Sequence, residues 1–387
     1  MMRTLGLPLQ LLAVIIFVSL FGSMFSPEMV RFFYTLSALF KELLGLLLPF
    51  LILSFIMSGI LSLKKNAPAI LMLLLGCVFI SNTIVAILSY LFVSIMLPIE
   101  SCPAELHSID TQQAIEPYIS FAVKSPVSPK WILVTGVLCG ILFSIYRSNV
   151  VERAVQTLKG WVEKALTRFF IPLLPVYVFG YLLEIHSRGI LTALFNYYGN
   201  AILLIVGMQL LFIFTFFVLA KTSFAKGWQA IKNAFPSYVT ALSTISSTAT
   251  IPVTVDCAEK NTGNRPLADM CMPILANVHL MGASINIPVL SLATLILFKA
   301  MIPTPMEYIT FVFYFCTSMF AVSGIPGAGL MVMLPLLIDT FSFSHMMISV
   351  LTALYLLLDA LSAATNVMGD GALIIILNRL IKRLNLH

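Results

Sequence analysis

Apolar residues fall in long unbroken runs along this chain, not in the alternating or three-and-four spacing of elements with one wet face. Runs of bilayer-spanning length, about 18 residues or more, lie near 7–25, 43–63, 68–98, 131–146, 169–183, 190–220, 271–300, 308–337 and 345–378. A helix that is apolar all round has no face for water, so the pattern predicts helices solvated by lipid. The first run lacks a convincing small-residue cleavage site and is followed by further spans. It is expected to be a retained first helix.

Two stretches break the pattern. Residues 236–254 read PSYVTALSTISSTATIPVT, with Ser243, Thr244, Ser246, Ser247, Thr248 and Thr250 ahead of Pro252. Residues 318–334 read SMFAVSGIPGAGLMVML, where Ser323, Gly324, Pro326, Gly327 and Gly329 interrupt a spanning-length run. Backbone at membrane depth must be hydrogen-bonded, so a broken helix survives only under protein or beside an aqueous cavity. Paired interruptions point to a transporter's binding site. Lys232, Lys260 and Arg265 border the first stretch, so it should enter and leave from the cytoplasm. Lys299, Glu307 and Asp339 border the second, without a basic cluster, so it should enter from outside. One interrupted helix could be a kink. Two of matching design predict re-entrant hairpins meeting near the midplane.

The last run, LYLLLDALSAATNVMGDGALIIIL over 354–377, holds Asp359, Asn366 and Asp370. At about 100° per residue, positions 359, 363, 366 and 370 share one helix face. A carboxylate in hydrocarbon costs at least about 2.5–3.5 kcal/mol. Two persist only where a cation, an amine or protonation offsets them, or as part of a structural pairing. Residues 276–290, ANVHLMGASINIPVL, place Gly282, Ser284, Asn286 and Pro288 where they should break regular helix and free carbonyls. Such carbonyls serve as Na⁺ ligands in broken helices. The alternative is small residues for close packing.

Composition agrees. The 387 residues are 60% hydrophobic and 10% charged, against about 25% charged in soluble domains. The net charge of +6 is not a nucleic-acid signal, because it is gathered in connectors: Lys64 and Lys65; Arg147, Arg153, Lys159, Lys164 and Arg168; Lys221, Lys226 and Lys232; Arg379, Lys382 and Arg383. Segment 99–130 is the more acidic, with Glu100, Glu105, Asp110 and Glu116. The positive-inside rule then puts the basic clusters and both termini in the cytoplasm. The six cysteines (Cys77, Cys102, Cys139, Cys257, Cys271 and Cys316) have no metal-ligand spacing and read as small buried hydrophobes. A channel would want rings of charge, an intramembrane enzyme a nucleophile–base pair or metal cluster, and an ATP-driven pump a phosphate loop. The sequence shows none of these motifs, so no cofactor and no enzymatic activity are expected.

The order of elements resembles the dicarboxylate/amino acid:cation symporter family, the glutamate-transporter-like proteins. The resemblance covers nearly the whole chain and is specific from about 236 onward. The family's serine run and Gly-Thr-Leu-Pro corresponds to Ser246, Ser247, Thr248, Ala249, Thr250, Ile251 and Pro252. Its Gly-Val-Pro-Gly-Ala-Gly corresponds to Gly324, Ile325, Pro326, Gly327, Ala328 and Gly329. Its Asp and Asn-Val-x-Gly-Asp corresponds to Asp359 and to Asn366, Val367, Met368, Gly369 and Asp370. The resemblance implies an all-α polytopic membrane protein with eight transmembrane helices and two re-entrant helical hairpins. It implies scaffold helices over 1–63, a third helix of the transport domain over 64–98, an external loop and helices four to six over 99–220, and the core transport domain over 221–387. A homotrimer and an elevator-type motion in the inner membrane are expected with it.

For the site, the resemblance implies that Asp359 takes the substrate's ammonium. Asn366 and the tips, through Ser246, Ser247, Thr248, Ile325, Pro326 and Gly329, take its carboxylate. Asp370 with Gly282, Asn286 and Asn366 is implied to hold Na⁺. Members with acidic substrates carry an arginine one turn after the aspartate or at the first tip; those positions are Ser362 and Ile245 here. A second substrate carboxylate would be left unpaired, which is costly, so a neutral zwitterionic amino acid is expected. An acidic amino acid or C4-dicarboxylate, or H⁺ coupling, is the alternative. The family's Asn-Met-Asp-Gly-Thr reads Asn286, Ile287, Pro288, Val289 and Leu290, and a threonine in the third helix reads Ile80 beside Ser81. No third Na⁺ site is expected. His279 is either a proton carrier or a packed neutral side chain.

Overall fold

A computed structural model describes residues 7–61, 68–97, 115–119, 129–145, 149–189, 191–320, 322 and 327–384. Among these residues every regular element is helical. The α-helices are α1 (Leu7–Phe21), α2 (Pro27–Leu61), α3 (Pro68–Met96), α4 (Pro129–Ile145), α5 (Asn149–Ala165), α6 (Ile171–Ser187), α7 (Leu191–Lys221), α8 (Phe224–Thr244), α9 (Ile251–Thr262), α10 (Arg265–Val278), α11 (Met281–Lys299), α12 (Pro305–Met319), α13 (Ala328–Phe341) and α14 (His345–Arg383). Five helical stretches among the described residues are long and apolar enough to cross a membrane: Ala69–Met96, Asn149–Ser187, Asn196–Lys221, Arg265–Lys299 and Met346–Arg383. The chain is a multi-pass membrane protein.

Several helices extend beyond their apolar runs. α2 starts at Pro27, where the Ser26 hydroxyl accepts the Met29 N–H at 3.3 Å, a side-chain cap followed by proline at the first helical position. The run near 169–183 is the apolar end of a longer helix, in which α5 passes through a π-helical turn, Leu166–Phe170, into α6.

The expected break at Gly282–Pro288 is not where the chain breaks. α11 runs unbroken from Met281 to Lys299 with Pro288 inside it. The interruption lies just before, at His279 and Leu280, both outside helical dihedrals. Proline withdraws a single donor, and α11 is buried from Met281 to Phe298, so packing on all sides holds the helix through it.

α2 packs on α4, α5 and α6, while α14 packs on α8, α9, α10 and α11. α8 and α9 lie against each other around the tip Ile245–Thr250, and α12 against α13. The two pairs approach α14 from opposite ends. At the base of α8–α9, Asn378 donates to the Thr262 carbonyl at 3.3 Å and Arg379 to that of Ala220. At the base of α12–α13, Lys299 donates to the carbonyls of Phe341 and Ser342 at 3.0 and 2.8 Å, shortly before α14 begins. Gly327 at the start of α13 therefore sits against Asp359 in the middle of α14, and Ala241 near the end of α8 against Ala364 and Val367.

Candidate functional site

Three polar side chains of the α14 stripe are buried: Asp359 and Asn366 nearly fully, Asp370 completely. The eleven residue steps from Asp359 to Asp370 span about 16 Å of helix axis, so the carboxylates serve separate places.

Asp359 faces the start of α13. Its Oδ2 accepts the N–H of Gly327 at 2.8 Å. Gly327 holds φ 78°, a left-handed backbone that favours glycine; a Cβ there would stand 2.8 Å from Leu356 Cδ2, a side-chain end that can move aside. A Cβ on Gly329 would stand 2.9 Å from the Tyr355 hydroxyl. Ile325 and Pro326, expected in the same tip, lie outside the described residues. Ser362, one turn beyond Asp359, is buried. No ion pair found among the described residues includes Asp359.

Asn366 caps α11. Its Oδ1 accepts the Gly282 N–H at 2.7 Å and the Ala283 N–H at 3.4 Å, two donors that a helix N-terminus leaves orphaned. Gly282 is needed because a Cβ would lie 2.3 Å from the Ser362 carbonyl oxygen. The first tip reaches the same neighbourhood through α8, whose Ala241 packs with Ala364 and Val367 on either side of Asn366. Within that tip Ser246 Oγ and Thr248 Oγ1 are 3.0 Å apart, Thr250 donates to the Ser246 carbonyl at 2.8 Å, and Ser247 is buried.

Asp370 lies at the helix break. Its Oδ1 is 2.9 Å from His279 Nδ1, and His279 Nε2 is 3.0 Å from Ser81 Oγ on α3. Both His279 and Asp370 are fully buried, and Asp370 Oδ2 has no hydrogen-bond partner among the described residues. Asn286 is turned aside: its Oδ1 accepts from Gln209 Nε2 of α7 at 2.7 Å.

The expected residues Gly282, Asn366 and Asp370 thus come together at the break, Asn286 points to Gln209, and Asp359 pairs with the second tip. Gln209 went unread in the sequence, and Gly327 was read as part of the second tip but not as the partner of Asp359. Gln209 offered a signal, an amide in the otherwise apolar stretch 201–214 of α7; the weight of His279 came only from its two contacts.

A model of the sodium:dicarboxylate symporter family matches residues 7–380. The chain is 24% identical over 258 residues to the serine/threonine transporter SstT of Bifidobacterium adolescentis, covering 63% of this chain and 58% of that one. It is 28% identical over 205 residues to an excitatory amino acid transporter of Caenorhabditis elegans, covering 50% of this chain and 38% of that one. The matched region is thus less than two thirds of either relative's length.

Proposed function

The chain belongs to the sodium:dicarboxylate symporter family, and from that premise we propose that it is a secondary active symporter carrying a small zwitterionic amino acid, coupled to Na⁺, by an elevator-type motion. Asp359 would receive the ammonium, displacing the Gly327 N–H. Asn366, Ser362 and the tips would hold the α-carboxylate. Asp370, with backbone oxygens near Gly282, Asn286 and Asn366, would hold the cation. The α2–α4–α5–α6 group would be the fixed body, the helices around α14 the moving one, α8–α9 and α12–α13 the re-entrant hairpins, and the assembly a homotrimer in the inner membrane with both termini cytoplasmic.

The observation that carries the substrate class is the surroundings of Asp359: one backbone N–H, Tyr355 and Ser362, with no cation paired to it among the described residues. A second substrate carboxylate there would be desolvated without a partner. The serine/threonine transporter among the relatives points the same way; the excitatory amino acid transporter keeps acidic substrates as the competing class. The test is uptake into proteoliposomes of labelled serine, alanine, glutamate and C4-dicarboxylates, with Na⁺ and H⁺ gradients imposed separately. Serine or alanine uptake driven by Na⁺ is expected; glutamate or dicarboxylate uptake exceeding it overturns the assignment.

One contact favours a second reading of the coupling ion. His279 occupies one oxygen of Asp370, where a protonated imidazole supplies the charge that Na⁺ otherwise brings. Uptake driven by H⁺ alone decides for it.

A further inference from the structure

Helix α5 carries a surface that the transport site does not use. The continuous helix Asn149–Ser187 has 39 residues, about 58 Å at 1.5 Å per residue, against a hydrocarbon core about 30 Å thick. The half that cannot lie in hydrocarbon is the charged one, α5. One side of it is committed: Val155, Val162, Leu166 and Phe170 are buried, the helix packs on α2, and Ser58 Oγ meets Gln156 Oε1 at 3.4 Å.

The opposite side is organised. Arg153, Thr157, Trp161, Lys164 and Arg168 recur at intervals of four, four, three and four, and all are exposed. At 100° per residue they fall within about an 80° arc. Trp161 is 70% exposed, and Val150, in the same arc, 77%. The acids Glu152 and Glu163 point about 80–100° away from its edge, and Glu163 is met by Lys159 at 3.7 Å. The face therefore has three cations, an indole and no acid. Water leaves the indole and valine unburied. A second copy of the chain would need an acidic surface to match the cations. A bilayer rim satisfies both halves: phosphates meet the cations while the indole sits at headgroup depth.

We propose that this face of α5 seats the anionic phospholipid headgroups that surround the transporter. The chain has three tryptophans, so the full-length protein with Trp131→Phe and Trp228→Phe reports from Trp161 alone. It is reconstituted in mixed phosphatidylglycerol/phosphatidylcholine vesicles in which one lipid or the other is brominated, at equal mole fraction. Brominated phosphatidylglycerol is expected to quench Trp161 at least about threefold more strongly than brominated phosphatidylcholine. The preference should fall to unity in Arg153→Gln/Lys164→Gln/Arg168→Gln, and fade with salt when those cations are intact. The salt series reads the surface even if the triple variant does not fold. Equal quenching by both lipids overturns the proposal. So does quenching by neither, which would leave the face to water or, if residue 161 crosslinks between protomers, to a second copy.

Discussion

His279 and Asp370 touch across the break between α10 and α11, ring nitrogen to carboxylate oxygen at 2.9 Å, with neither side chain exposed. The second carboxylate oxygen has no partner among the described residues. In the proposed function such a half-served buried carboxylate would receive the cation, with the imidazole on one side. Asp370→Ala should abolish cation-driven uptake. His279→Gln should keep the Na⁺ dependence but weaken the apparent Na⁺ affinity by about tenfold or more, as loss of an outer-shell partner does elsewhere. Initial rates against Na⁺ concentration check both. An Asp370→Ala protein with ordinary Na⁺-driven uptake would remove the cation assignment.

Asp359 is the sharper test of substrate binding, because its contact with Gly327 could be structural alone. Asp359→Asn keeps an oxygen for the Gly327 N–H and removes the charge. KM for the amino acid should rise at least about tenfold, the worth of one charge-assisted contact. Hydrogen exchange at the start of α13 should stay close to that of the parent protein. A variant that loosens α13 with KM unchanged would mark Asp359 as a structural latch.

Much of this site was legible because the membrane makes polar residues conspicuous. Asp359, Asn366 and Asp370 stood out as a stripe in an apolar run, and both tips stood out by their serine and glycine content. What could not be read was set at a distance. The break falls at His279 rather than at Pro288 because Asn366 of another helix supplies the cap for Gly282 and because Ser81 and Asp370 hold the imidazole. Asn286 is drawn aside by Gln209, a pairing no local pattern encodes. The start of α2 was hidden for a different reason: Pro27 and its Ser26 cap precede the apolar run by a stretch of mixed polarity.

The close approach of α11 to α14 at Gly282 should be intolerant of a single methyl group. A Cβ there would lie 2.3 Å from the Ser362 carbonyl oxygen, and backbone cannot swing away as a side-chain end can. Gly282→Ala should cost about 1–3 kcal/mol as an overpacked core does, and it should misplace both the Asn366 cap and the Ser362 turn. Thermal unfolding of the detergent-solubilised protein, read beside uptake, should fall in step with activity.

Outside the spans, Glu307 closes a capping box at the start of α12. The Thr304 N–H and hydroxyl each donate to its carboxylate at 2.8 Å, which holds the carboxyl below its ordinary range. A lowered folded pKa gives stability that is present above the unfolded value, about 4.3, and is lost as pH falls through the folded one. Glu307→Gln should therefore be slightly less stable than the parent near neutral pH and indistinguishable from it near pH 3. Melting curves of the two proteins at both pH values check the sign.

In the proposed function Ser362 decides between substrate classes, and replacing it tests that from both directions. It is buried one turn beyond Asp359, at the position where the family resemblance implies an arginine in members with acidic substrates. Ser362→Arg buries a large cation one turn from Asp359, which can meet it in the unloaded protein. Once Asp359 holds the substrate's ammonium, an acidic substrate would supply a second carboxylate for the guanidinium. Glutamate or aspartate should then compete at least about tenfold better than against the parent, and serine worse. Thermal stabilisation of the variant by glutamate, absent with serine, gives a readout independent of transport. The parent protein sets the reference: a hundredfold excess of glutamate should leave serine uptake nearly intact. If glutamate already displaces serine there, the carboxylate finds a partner that Ser362 does not provide, and the neutral-substrate assignment fails whatever the variant does.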